Sequence, residues 1–159
     1  MSRAHFAKPG EVVKAVALYS CLAVAAKDSK GNKAVVHIDP SRIQEDWKMF
    51  KRFMTTNKMD SADKPTLRIS IPDPATVRQG IRSPTEQNQI EKEAEAGNKQ
   101  LEKLVREYLG KASLSPSQVV QRAGPRGGKA FVGEYGFTED GDFSEFKECG
   151  GYMTPPSFD

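Results

Sequence analysis

The first apolar block of the chain is EVVKAVALYSCLAVAAK, residues 11–27. Val12, Val16, Tyr19 and Ala23 recur at helical steps, and Val13, Ala17, Leu22 and Val24 widen the stripe, so the pattern predicts a helix buried on most sides. A polar run, KDSKGNK, ends it. AVVHID (34–39) then has the β-branched content of a short strand. Asp39 and Pro40 read as the N-cap and first position of a second helix, PSRIQEDWKMFKRFMTT. That helix places Ile43, Trp47, Phe50 and Met54 on one face, with Met49 and Phe53 beside it.

After a polar loop, TLRISIPDP alternates Leu67, Ile69 and Ile71 with Arg68 and Ser70, which predicts a strand with one buried face and Arg68 on the open one. Ser83, Pro84 and Glu86 form a capping box, so a long helix should start there and stop at Gly110. Its first half is nearly all polar and should project into solvent or meet another subunit. Ser115 caps a further short helix, SPSQVVQRA, stopped by Gly124 and Pro125. The expected fold is α+β: one helix-dominated domain with about four helices and two or three short strands.

Composition changes this picture little, but charge does. The 159 residues include 37% hydrophobic and 28% charged side chains, which suits one soluble domain. Residues 1–133 carry 23 Lys and Arg against 14 Asp and Glu, whereas residues 134–159 carry one against seven. The division expected is a basic body over 1–133 and an acidic, aromatic tail over 134–159. Asymmetry of this kind points to nucleic acid or an acidic partner. The apolar run from Val12 to Ala26 is too short to span a bilayer and contains Lys14. No signal-peptide pattern precedes it, so a reducing cytoplasm is expected, that of a host if the protein is viral.

Catalytic signatures are missing from the sequence pattern. GPRGGKA resembles a phosphate loop, but Ala123 stands where the first glycine belongs and Ala130 where a hydroxyl would hold magnesium. Cys21 and Cys149 are far apart without a CxxC, which argues against a disulfide framework or cysteine zinc site. His5 and His37 match no metal spacing, and His37 reads as a satisfied strand histidine. Neither an enzyme nor a cofactor or metal site is expected.

Basic and aromatic residues interleave more suggestively. Lys48, Lys51 and Arg52 adjoin Trp47, Phe50 and Phe53 on the second helix, and Arg68, Arg78 and Arg82 lie on and after the second strand. Arg122, Arg126 and Lys129 stand next to Phe131 and Tyr135. Cations track phosphates and rings stack on unpaired bases, so these residues are the expected contacts for single-stranded nucleic acid.

The segments TEDGDFSEF and PPSFD resemble the acidic C-terminal tails of bacterial and phage single-stranded-DNA-binding proteins. The resemblance implies that Glu139, Asp140, Asp142 and Glu145 compete with nucleic acid, while Phe143, Phe146 and above all Phe158 dock partners such as a polymerase or another replication or transcription protein. The expected function is thus a sequence-tolerant, homo-oligomeric binder of single-stranded nucleic acid, DNA more than RNA, of viral type, with no membrane partner. The rival expectation is a viral coat or assembly subunit that self-associates through its long helix and C-terminal arm.

Overall fold

In the computed structural model, the chain is described at residues 4–18, 20–60, 63–77, 83–122, 130–131, 133–146 and 152–153. A short edge strand β1 (Ala4–Ala7) comes first, and the block expected to be one helix is two strands, β2 (Val13–Leu18) and β3 (Leu22–Lys27). β3 explains the misreading. It pairs with β4 (Lys33–Ile38) on one side and β5 (Thr66–Pro72) on the other, and both of its faces are covered. Leu22, Val24 and Ala26 face one layer, Ala23 and Ala25 the other, and all are buried. A strand buried on both faces loses its polar alternation, and its apolar run then matches helical steps equally well.

The main sheet has the order β1-β4-β3-β5-β6, antiparallel except that β6 (Val119–Arg122) runs parallel to β5. A parallel neighbour requires a long crossover, and α2 (Pro84–Leu109) lies on that crossover. One face of the sheet packs on α1 (Ile43–Thr56) and the second half of α2. Ile43, Trp47, Phe50 and Met54 of α1 and Leu101 and Val105 of α2 meet Leu67, Ile69, Val36 and Ile38 there. The opposite face is covered by a second sheet of order β2-β8-β9, with β8 at Gly133–Phe137 and β9 at Phe143–Phe146. Val13, Ala15, Leu18, Tyr135 and Phe137 of that sheet meet Ala7, Ala23, Ala25 and Val35 of the first. Two-residue strands β7 (Ala130–Phe131) and β10 (Tyr152–Met153) pair separately.

The expected helix-dominated fold with four helices is therefore overturned. Among the described residues there are two α-helices against eight strands in two stacked sheets. SPSQVVQRA is likewise not a helix. Pro116–Gln118 make a single 3-10 turn, in which Gln118 Oε1 accepts from the Ser115 backbone N–H and Gln118 Nε2 donates to the Leu67 carbonyl. Those bonds bring Val119 and Val120 against β5 as an extended strand, where β-branched side chains pack well.

Other local expectations divide. The strand at AVVHID, the strand at TLRISIP and the long helix from Ser83 to Gly110 are all present. Ser83 Oγ accepts the Glu86 N–H, and Gly110 closes α2 with a left-handed φ of 66°. Burial on α2 falls at Asn98, Leu101 and Val105, all in its second half. Asp39 does not cap α1. Its carboxylate accepts from the N–H and hydroxyl of Ser41 in a turn, Arg42 occupies the N-cap position, and the buried Asp46 carboxylate accepts the Asp39 N–H. Arg68 does not face solvent either. The second sheet covers its face, and its guanidinium carbon sits 4.1 Å from the centre of the Phe143 ring.

Phe50→Ala should lower unfolding stability by about 3–5 kcal/mol in a urea titration, because the ring is fully buried between helix and sheet. Removing the Ser83 cap by Ser83→Ala should cost about 1 kcal/mol in the same measurement.

Candidate functional site

The β3–β4 hairpin decides which residues meet. Its turn is built by Asp28, whose carboxylate accepts from the N–H groups of Lys30 and Asn32 and from the Asn32 side-chain amide. Gly31 takes the positive φ of 87° that the turn needs. With the turn fixed, register follows: Leu22 pairs with Ile38 and Ala23 with His37. Cys21, one residue before Leu22, is thus level with Asp39 and diagonal to His37. Both side chains lie on the face toward the second sheet, where Cys21 packs against its apolar cluster and His37 reaches β2. Diagonal neighbours across an antiparallel pair are about 7–8 Å apart at Cα, close enough for side chains to interact.

His37 is oriented from β2. Its Nδ1 lies 3.1 Å from the Val16 carbonyl oxygen. A carbonyl only accepts, so Nδ1 carries the proton in this contact. The Val16 carbonyl can turn this way because the β2–β8 pairing shifts register between Ala15 and Leu18, and such bulges re-aim backbone groups. The cysteine is held separately. Buried Arg122 donates through Nη1 to Ser70 Oγ at 2.6 Å and through Nη2 to the Cys21 carbonyl. Cys21 is half-exposed and is not in a disulfide. A recess of about 560 Å³ lies apart from this pair along α2 in the helical layer, lined by Ser20, Pro40, Ser41, Val77, Ala94 and Gly97 and by neither Cys21 nor His37.

A second feature lies on the helical layer. Lys48, Lys51, Arg52, Thr55 and Thr56 of α1, with Asp60 and Tyr108, line an open groove of about 500 Å³. The Tyr108 ring stands edge-on to Trp47 at 5.6 Å, and Lys64 Nζ sits 4.1 Å over its face. Burial, then the Asp60 carboxylate, hold the Tyr108 hydroxyl above the ordinary tyrosine range.

The residues expected from the sequence fall into three groups. Lys48, Lys51 and Arg52 are exposed and brought together as expected, but Trp47 and Phe50 beneath them are core and Phe53 is partly buried against it. Arg68, Arg122 and Tyr135 are not available as a nucleic-acid surface. Arg68 is half-buried under Phe143, while Arg122 and Tyr135 are only 8% and 1% exposed, Tyr135 because its β8 side chain packs against the main sheet. Arg78, Arg82, Arg126, Lys129 and Phe158 lie outside the described residues, as do the side chains of Phe131, Glu145 and Phe146.

Within the acidic segment, β8 and β9 belong to the second sheet, and β8 begins at Gly133. Phe143 packs 4.3 Å from Phe137 and shields Arg68. Glu139 and Asp140 are exposed on the β8–β9 turn, and Asp142 is exposed beside it. That turn is held from the body: Lys27 Nζ donates to the Gly141 carbonyl, and fully buried Lys33 donates to the carbonyls of Glu11 and Thr138.

Cys21 and His37 were missed as a pair because residues on either side of an assumed helix end have no fixed relation. The signal was in the turn. Asp-Ser-Lys-Gly-Asn between two apolar runs of similar length is a hairpin pattern, and its centre sets which residues face each other. No family model matches this sequence, and no curated protein matches it.

Arg122→Met should lower stability by roughly 1–3 kcal/mol in urea, since the buried Ser70 hydroxyl and Cys21 carbonyl lose a charged donor. Tyr108 supplies a pH dependence of known sign. The folded state favours its neutral form, so this contribution is complete below the unfolded tyrosine value of about 10 and falls as pH rises through the higher folded value. In a spectrophotometric titration, Tyr108→Phe should remove a late-ionising phenolate component.

Proposed function

We propose that the protein performs thiol-dependent acyl transfer, with Cys21 as nucleophile and His37 as its base. The observation that carries the reading is the β3–β4 register, which sets the two residues diagonally on one face while Val16 orients the imidazole. A nucleophile, a base and a group that orients the base are the three parts such chemistry requires. Arg122 supports the arrangement by holding the backbone of the nucleophile.

The steps balance without a further reagent. His37 Nε2 accepts the thiol proton as Cys21 Sγ adds to the carbonyl carbon of an amide or ester. The bond to the leaving nitrogen or oxygen then breaks, His37 returns the proton to that atom, and a thioester remains on Cys21. Water adds to the thioester with His37 taking its proton, and collapse releases the acid and restores the thiol.

The reading is tested with p-nitrophenyl acetate and with iodoacetamide. Wild-type protein should gain one acetyl group at Cys21 by peptide mass mapping, and Cys21 should alkylate faster at neutral pH than Cys149 in the same chain. His37→Gln should slow acetylation by about a hundredfold or more, and Cys21→Ala should abolish it. Equal alkylation of the two cysteines with no effect of His37→Gln would overturn the proposal.

A further inference from the structure

The cationic groove on α1 is independent of the thiol site and has its own logic. Lys48 and Lys51 are three residues apart, Lys48 and Arg52 four, so three like charges are immediate neighbours on one exposed helix face. Among the described residues, no carboxylate is ion-paired with any of them. Other helix cations do have acidic neighbours: Arg42 lies 3.7 Å from Asp46, Lys99 3.1 Å from Glu95 and Lys103 4.0 Å from Glu107. The one acid in the groove, Asp60, accepts a 2.8 Å hydrogen bond from Thr55 Oγ1. An unrelieved row of three adjacent like charges is a surface that an outside anion would stabilise.

The groove also holds an unused donor. The Tyr108 hydroxyl is buried at its wall and has no hydrogen-bond partner among the described residues. Lys64 brings a fourth cation over the same ring. A ligand that suits this lining presents several phosphates in a row and a polar group that can enter beside Tyr108.

We propose that this groove binds single-stranded nucleic acid, with phosphates on Lys48, Lys51 and Arg52 and a base or sugar hydroxyl against Tyr108. A single strand fits better than a duplex because its bases are unpaired and can turn into the recess. The surplus of positive charge over residues 1–133 favours the approach of a polyanion from a distance.

The test is fluorescence anisotropy with a labelled oligothymidine across a potassium chloride series. Lys48→Gln, Lys51→Gln and Arg52→Gln combined should weaken binding at least about tenfold at low salt and reduce the slope of log affinity against log salt by about 2, the effect of three lost phosphate contacts. Tyr108→Phe should weaken binding by about threefold to tenfold. All substituted cations are exposed, so melting by circular dichroism should be unchanged, and Cys21 alkylation should also match the wild type. Failure of this proposal therefore leaves the thiol chemistry standing, and the reverse holds too. Absence of binding, an unchanged salt slope in the triple variant, equal affinity for duplex, or tighter binding of a phosphopeptide would each overturn it.

Discussion

Burial of β3 on both faces is the constraint on which the rest of the structure depends. A central strand between two layers has to be apolar throughout, and its side chains on the sheet-facing side, Ala23 and Ala25, are small enough for a second sheet to lie over them. The helices cover the other side through Leu22, Val24 and Ala26. The polar residues within reach of the strand itself stand at its ends. Cys21 stands at one end and Lys27 at the other, and both are drawn into interactions with the second sheet or its connections.

The same layering explains why the basic character of the body is not simply surface charge. Lys33 is fully buried with its ammonium on backbone carbonyls, Arg122 is buried on Ser70 and Cys21, and Arg68 lies under an aromatic ring. Lys33 and Arg68 join the main sheet to segments of the second, whereas Arg122 ties β6 to β5 and to the start of β3. Buried cations of this kind are tolerated because every one has hydrogen-bond or ring partners. Among the described residues, Lys48, Lys51 and Arg52 stay exposed together on α1, on the face of the main sheet away from the second sheet.

The thiol and the groove therefore sit on different layers with different supports. Cys21 and His37 are positioned by strand register, a bulge and a buried arginine, all rigid elements of the sheets. Lys48, Lys51 and Arg52 need only the helix, since spacing along α1 already places them together. This difference also sets how visible each was before the fold was known.

From the sequence, the capping box at Ser83, the stop at Gly110, the alternation of TLRISIP and the apolar stripe of α1 were all legible, because each depends on contacts within a few residues. The exposed cations of α1 were legible for the same reason. The assignment of residues 11–27 to strands was not, since burial from both sides erases the period that separates strand from helix. Nor was the fate of Arg68, Arg122 and Tyr135, whose surroundings are supplied by segments distant in the chain. The diagonal placement of Cys21 and His37 lay between these cases: the turn at Asp28–Asn32 encoded it, but only once the flanking runs were known to be strands. Local spacing determined the helices and their charge, whereas the stacking of two sheets decided what is core, what is site and what is surface.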